Sequence, residues 1–274
     1  MELLLLLLAG SGVLFWSVRA RRLKRRETAL NAPVDEETRR WVSGAVPHFA
    51  GMPQPLQERL FHLTRAICME KTFEGCAGFA LNDEVKTVIS AQAALLVLEL
   101  GLEAYDGIDR ILVYPEPFVV DRAHEEGGIV AHEEEAVLSG EAGEFGTIVL
   151  SWSDVVFGAR HDSDGYNVVI HEFAHQLDWA TGEITGTPKL ESAEDYVQWG
   201  AVMKAAYRKL SMECEGQDDH PVLDPYAVED PGEFFAIASE VFFEKPVVLR
   251  EWDAPLYALL KRYYRLDPAG WVRG

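Results

Sequence analysis

The chain has 274 residues, with 25 Lys and Arg against 45 Asp and Glu, for a formal net charge of −20. Acidity on this scale opposes binding to nucleic-acid phosphates and favours solubility or basic peptide partners. The cysteines, Cys68, Cys76 and Cys214, are odd in number and lack a C-x-x-C spacing, which argues against a disulfide framework and a structural zinc site and suits a reducing cytosol.

The chain opens on an apolar run, Leu3 to Val18, of 16 residues. That is slightly short for a bilayer, but an interfacial Trp16 and a snorkelling Arg19 extend it. A secretory signal peptide carries its positive charge before the apolar run and a small-residue cleavage site after it. Here the only preceding charge is Glu2, and six of the eight residues 19–26 are Lys or Arg. Residues 1–18 are therefore read as a transmembrane anchor and 19–40 as a basic juxtamembrane linker. By the positive-inside rule, 41–274 then face the cytoplasm of a single-pass cell-membrane protein. Charge follows this division, +3 over residues 1–40 and −23 over the remainder. The basic segment can lie on anionic headgroups, each Lys or Arg contributing about 1 kcal/mol.

Residues 41–274 suffice for one large domain and show no internal repeat. Periodicity predicts helices over Pro55 to Glu70, Glu84 to Leu100, Val168 to Ala180, Ser192 to Leu210, Glu233 to Phe243 and Ala254 to Tyr264. Strands are predicted over Arg110 to Val113, Val119 to Arg122 and Thr147 to Trp152. This order implies an α+β fold, helices grouped around a small mixed sheet. The clusters His124-Glu-Glu and His132-Glu-Glu-Glu lie among glycines without helical periodicity and read as a solvated acidic loop rather than a second cation site.

Residues 171–178 read His-Glu-Phe-Ala-His-Gln-Leu-Asp. On a helix, residues four apart lie one turn above each other, so His171 and His175 can grip one metal ion from the same face. Glu172, about 100° round, can reach a water at that ion without ligating it. Val168, Val169, Ile170, Phe173, Ala174 and Leu177 supply the buried stripe, Asn167 the cap and Thr181-Gly182 the stop. The plainer alternative is two core histidines beside a surface glutamate.

Catalytic zinc takes three protein ligands and leaves a fourth position for water. Asp178 lies seven residues from His171, about 10.5 Å along the axis, too far to share the ion, and is assigned to supporting the ligands from behind or to closing the helix end. Glu233 is the better candidate, on an apolar helix starting after Asp230-Pro231. Yet Asp230 as N-cap, Pro231 at the first position and Glu233 at the third also form a capping start that needs no metal. Glu240, seven residues on and near the same face, is a second candidate ligand, or a group that orients one of the histidines.

Asn167 to Asp178, Asp224-Pro-Tyr-Ala through Asp230-Pro-Gly-Glu-Phe-Phe-Ala, Leu112-Val-Tyr-Pro-Glu-Pro-Phe, Val149-Leu-Ser-Trp and Leu256 to Pro268 together resemble the Mlc titration factor A family. These are zinc-dependent peptidases of zincin-like fold whose site architecture is similar to that of anthrax lethal factor. The resemblance covers roughly residues 40–270. It implies one zinc per chain held by His171, His175 and Glu233, favours Glu233 over Glu240, and makes Tyr226 the matching tyrosine seven residues before Glu233.

Zinc would polarise a peptide carbonyl and acidify a water, with Glu172 taking the proton and passing it to the leaving amine. Tyr226 would donate to the developing oxyanion; the alternative is a half-buried packing tyrosine. Gly143 to Trp152 is either an edge strand that holds an extended peptide substrate or an ordinary sheet strand. Two functions follow: a membrane-anchored zinc metallopeptidase acting on a peptide or protein substrate, and a regulator that sequesters a partner, which the family's name implies is a transcriptional repressor.

Overall fold

In the computed structural model, residues 23–119, 137–138, 140–143, 146–161, 163–180, 182–216 and 221–273 are described. The apolar run 1–18 and the two His-Glu clusters lie outside them. Among the described residues no helix is long and apolar enough to cross a membrane.

The helices are α1 (residues 23–31), α2 (Glu36–Ala45), α3 (Gln54–Glu70), α4 (Asp83–Leu96), α5 (Trp152–Arg160), α6 (Val168–Trp179), α7 (Ala193–Glu215), α8 (Pro231–Glu244), α9 (Pro246–Trp252) and α10 (Ala254–Tyr264). The strands are β1 (Thr72–Gly75), β2 (Arg110–Tyr114), β3 (Phe118–Val119), β4 (Val137–Leu138), β5 (Gly140–Gly143) and β6 (Thr147–Ser151). This is the expected α+β arrangement of helices about a small mixed sheet.

The main sheet has the order β1-β2-β6-β5. β1, β2 and β6 run parallel, with Ile111 opposite both Phe73 and Ile148, and β5 closes one edge antiparallel to β6. β6 is therefore an interior strand with both of its hydrogen-bonding edges used. Of the two readings of Gly143 to Trp152, the ordinary sheet strand holds for residues 147–151 and the edge strand does not; the edges of this sheet are β1 and β5, and Gly143 ends β5. β6 also ends one residue early. The Ser151 hydroxyl accepts from the Asp154 N–H and starts α5, so Trp152 is helical.

Side-chain caps set several boundaries. Asn82, Asn167, Ser192, Asp230 and Asp253 each accept an N–H from the first turn of α4, α6, α7, α8 and α10. α6 is fixed in depth by Val169, Ile170, Phe173, Ala174 and Leu177, all at most 2 % exposed, and packs against α4, α8 and the β5–β6 edge. α8 is buried all round and is locked by aromatic contacts. Trp199 meets Phe235 with ring centroids 5.6 Å apart, and Phe242 stacks on Tyr264 at 5.5 Å. A helix apolar on most of its faces belongs in the middle of a core, and α8 is there.

The segment read as a basic linker has structure of its own. Arg26 of α1 is 6 % exposed and donates to Glu70 at 2.7 Å, Glu103 at 2.9 Å and Asp106 at 2.9 Å. Glu70 has the same low exposure, and the Lys71 ammonium is 3.8 Å from it. Removing Arg26 takes two hydrogen bonds from the buried Glu70 carboxylate, which costs about 2–4 kcal/mol. Arg26→Met is expected to lower the thermal midpoint by about 5–10 °C. A shift of under one degree in calorimetry would show that α1 is not an integral part of the domain.

Candidate metal centre

Two helices meet at the centre of the molecule. α8 carries Glu233, Glu240 and Glu244 at spacings of seven and four, which on a 3.6-residue period is one narrow acidic stripe on an otherwise apolar helix. α6 lies against that stripe and supplies its partners.

Glu233 faces the two motif histidines. His171 Nε2 is 3.2 Å from Glu233 Oε2, His175 Nε2 is 3.4 Å from Glu233 Oε1, and the two Nε2 atoms are 3.1 Å apart. These three residues form a group whose ligand atoms all lie within 4.8 Å of one another. An ion bound tetrahedrally by imidazole and carboxylate at about 2.0–2.2 Å holds its ligands about 3.3–3.5 Å apart. The observed spacings are close to that. Glu233 Oε2, although near His171, makes no aligned hydrogen bond among the described residues. The three side chains bring two imidazole nitrogens and a carboxylate together at one place, so the donor set fits a divalent cation of the zinc type.

Glu240 does not join them. Its Oε1 accepts from His171 Nδ1 at 2.8 Å and its Oε2 accepts the backbone N–H of Asn167. This pairing places the ring proton of His171 on Nδ1 and turns the Nε2 lone pair inward, the usual arrangement for a metal-binding histidine. Between the two roles that spacing left open for Glu240, the geometry places it as the orienting group. Glu244, which the spacing analysis passed over, accepts from Asn167 Nδ2 at 3.0 Å and from the Gly165 N–H at 3.1 Å. Asn167 therefore caps α6 and ties it to α8 twice. The signal for Glu244 was present, a third acidic residue in register within an apolar run.

Glu172 is 3 % exposed, and its Oε2 has no partner among the described residues. Burial, opposed by His171 and His175, pushes its pKa up to about 7. Burial also works on Glu233, but the two histidines overcome it and hold that carboxyl at about 2. For His171, burial opposes the charge while Glu233 and Glu240 outweigh it and raise the pKa well above the ordinary value. The carboxylates thus demand a positive charge between them, which a divalent cation supplies as well as a proton does. Tyr226 sits on the short 3₁₀ turn Pro225–Val228, packed on the start of α8. It is 53 % exposed, so core packing does not account for it. Asp178 accepts three backbone N–H groups at the end of α6.

A helix pair that brings an H-E-x-x-H motif and a distal glutamate onto one point defines the class as metallopeptidase-like. The model of the family described as glucose-regulated metallo-peptidase M90 matches residues 19–265, and the chain belongs to that family. It is similar to proteins named Mlc titration factor A, 34 % identical in Serratia proteamaculans over 86 % of this chain and 90 % of that one. In Escherichia coli the identity is 32 % over 82 % and 84 %. It is also 36 % identical, over 89 % of both chains, to an uncharacterized protein of Synechocystis sp..

Glu244 carries a pH prediction. Burial, with Glu240 and Asp164 nearby, outweighs its two N–H donors and pushes its pKa up to about 9 from 4.5. Between those values the folded state keeps a proton that the unfolded state releases, so stability falls as pH rises, by at most about 1.4 kcal/mol per pH unit. In urea unfolding of metal-free protein, the Glu244→Gln profile is expected to be flatter than wild type from pH 6 to 8.5. Parallel profiles would sink this assignment.

Proposed function

We propose that this chain is a membrane-anchored, zinc-dependent metallopeptidase, with His171, His175 and Glu233 holding one zinc ion per chain. The observation that carries this reading is the convergence of those three donors, 3.1–3.4 Å apart, beside a buried carboxyl that has one oxygen unpartnered among the described residues. Zinc bound there would act as a Lewis acid on the peptide carbonyl and lower the pKa of a water.

The remaining chemistry falls to the chain itself. Glu172, too far round the helix to ligate, has its free Oε2 available to take a proton from the attacking water and return it to the leaving amine. Its environment, which keeps the pKa near neutrality, suits a group that must accept and release a proton in one cycle. Tyr226, on an exposed turn just ahead of Glu233, donates its hydroxyl hydrogen bond to the developing oxyanion. Glu240 keeps the His171 ring in the one tautomer that leaves Nε2 free. An extended substrate would align along β5, the sheet edge that packs beside α6.

The reading includes the anchor over residues 1–18, with the active face in the cytoplasm. Its support is the apolar run followed by six basic residues in eight. A second reading is drawn from the relatives' name. Proteins called Mlc titration factor A are named for titrating a partner, and this chain could likewise sequester a cytosolic transcriptional repressor. The two activities are compatible in one molecule.

Elemental analysis of the purified chain is expected to give about one zinc, lost in His171→Ala and Glu233→Ala and kept in Glu240→Ala at micromolar protein, since an orienting partner is worth about 10- to 100-fold in affinity. Absence of zinc from folded wild type overturns the peptidase reading and leaves the binding role. Glu172→Gln should keep its zinc and lose cleavage of a peptide library. Tyr226→Phe should keep zinc and KM while kcat drops about 10²- to 10³-fold. Equal turnover by Tyr226→Phe and wild type would remove that residue from the mechanism.

A further inference from the structure

We propose that Asp178 is a positioning residue for the metal site, fixing Glu233 through the turn formed by residues 182–187. This rests on the assignment of His171, His175 and Glu233 as the zinc ligands. Asp178 lies three residues after His175 on α6 and is fully buried. Its Oδ2 accepts the N–H groups of Thr185 at 2.9 Å and Gly186 at 2.6 Å, and its Oδ1 accepts that of Thr187 at 2.8 Å. Three N–H donors on one buried carboxylate form a strong, directional clamp. A fourth bond holds the turn from the other side, where Trp199 Nε1 donates to the Gly186 carbonyl at 2.8 Å.

The clamped turn is pressed against the start of α8. A Cβ added at Gly186, whose φ is +71°, would lie 2.2 Å from the Pro231 carbonyl oxygen. A Cβ added at Gly232 would lie 2.4 Å from Ile184 Cγ2 and 3.7 Å from Asp178 Oδ2. Gly186, which meets backbone, is therefore needed for the turn and the helix to approach this closely, and Gly232 leaves room for the Ile184 side chain. Pro231 and Gly232 immediately precede Glu233. The path is continuous: the helix of His171 and His175, the Asp178 carboxylate, the turn, the first two residues of α8, and the third ligand.

Glu233 needs such support because of where it sits. The first turn of a helix lacks backbone acceptors for its N–H groups and is the part that frays. Asp230 Oδ1 caps the N–H groups of Gly232 and Glu233, which orders the turn without fixing its place relative to α6. The Glu240 and Glu244 contacts fix α8 two and three turns further on. The Asp178 clamp ties the turn that abuts the ligand's own end of α8 to the helix bearing the histidines, and metal geometry tolerates displacements of about 0.5 Å.

The test measures zinc affinity of the full-length chain by chelator competition, the visible spectrum of its cobalt(II) form, and the thermal midpoint of the metal-free form. Asp178→Asn keeps the shape but turns an amide towards N–H donors. Gly186→Ala loosens the same clamp from the other side. Ile184→Ala alters only a side chain that is 41 % exposed, so its folding is secure. Asp178→Asn and Gly186→Ala are expected to bind zinc about 10- to 100-fold more weakly, with Ile184→Ala about threefold weaker. The first two should also shift the cobalt spectrum towards that of Glu233→Ala. Wild-type affinity and spectrum in all three variants, whatever their thermal midpoints, would overturn the proposal and leave Asp178 as the closure of a turn. Failure of wild type itself to bind zinc would overturn the ligand assignment beneath it.

Discussion

Three carboxylates on one stripe of a buried helix are the constraint around which the rest of this structure is arranged. Moving a carboxylate from water into a protein interior costs several kcal/mol unless partners are supplied. α8 has nothing of its own to offer, because its other faces are Phe234, Phe235, Phe242 and Phe243 packed into the core. Among the described residues the partners come from α6 and the residues leading into it: both histidines for Glu233, His171 and the Asn167 N–H for Glu240, and Asn167 and Gly165 for Glu244. The two helices are consequently bound in one relative register. A shift of one turn would leave at least one carboxyl without its donor.

That register has a chemical result. The stripe grades from a carboxylate held near 2 at the histidines to a carboxyl pushed up to about 9 at Glu244. The end nearest the histidines is anionic and attracts a cation, while the far end is a neutral hydrogen-bonding brace. The same spacing of seven and four residues thus yields a ligand, an orienting group and a structural anchor. Environment, not residue type, separates the three roles.

How much of this could be read from the chain depended on whether the controlling interaction was local. The helical motif was legible because its stripe, its Asn167 cap and its stop all lie within one short segment. Glu233 was harder, since capping and ligation make the same local pattern, and only packing against α6 turns its side chain towards the histidines. α5 was hidden because the Ser151 cap follows a strand without a break, and Trp152 suits either element. The edge position of β5 was not readable at all, because strand order depends on pairing between segments far apart in sequence. α1 was obscured by its own composition. A basic run looks solvated until Glu70, Glu103 and Asp106 are brought around Arg26.

Glu172 weighs between the two proposed activities. Among the described residues the buried Glu172 Oε2 has no partner, and a buried carboxyl oxygen in that state costs about 1–3 kcal/mol or more. Val169, Ile170, Phe173 and Ala174 show that this helix accepts apolar residues readily, so a leucine would be the easier occupant for a protein that only sequesters a partner. Local rules are usually broken at functional sites, where the destabilised group has work to do. A proton acceptor beside a bound cation is such work, whereas docking a repressor on an outer surface makes no demand on a carboxyl buried beneath the histidines. The cost borne at Glu172 is therefore an argument for catalysis that is independent of the motif from which the reading began.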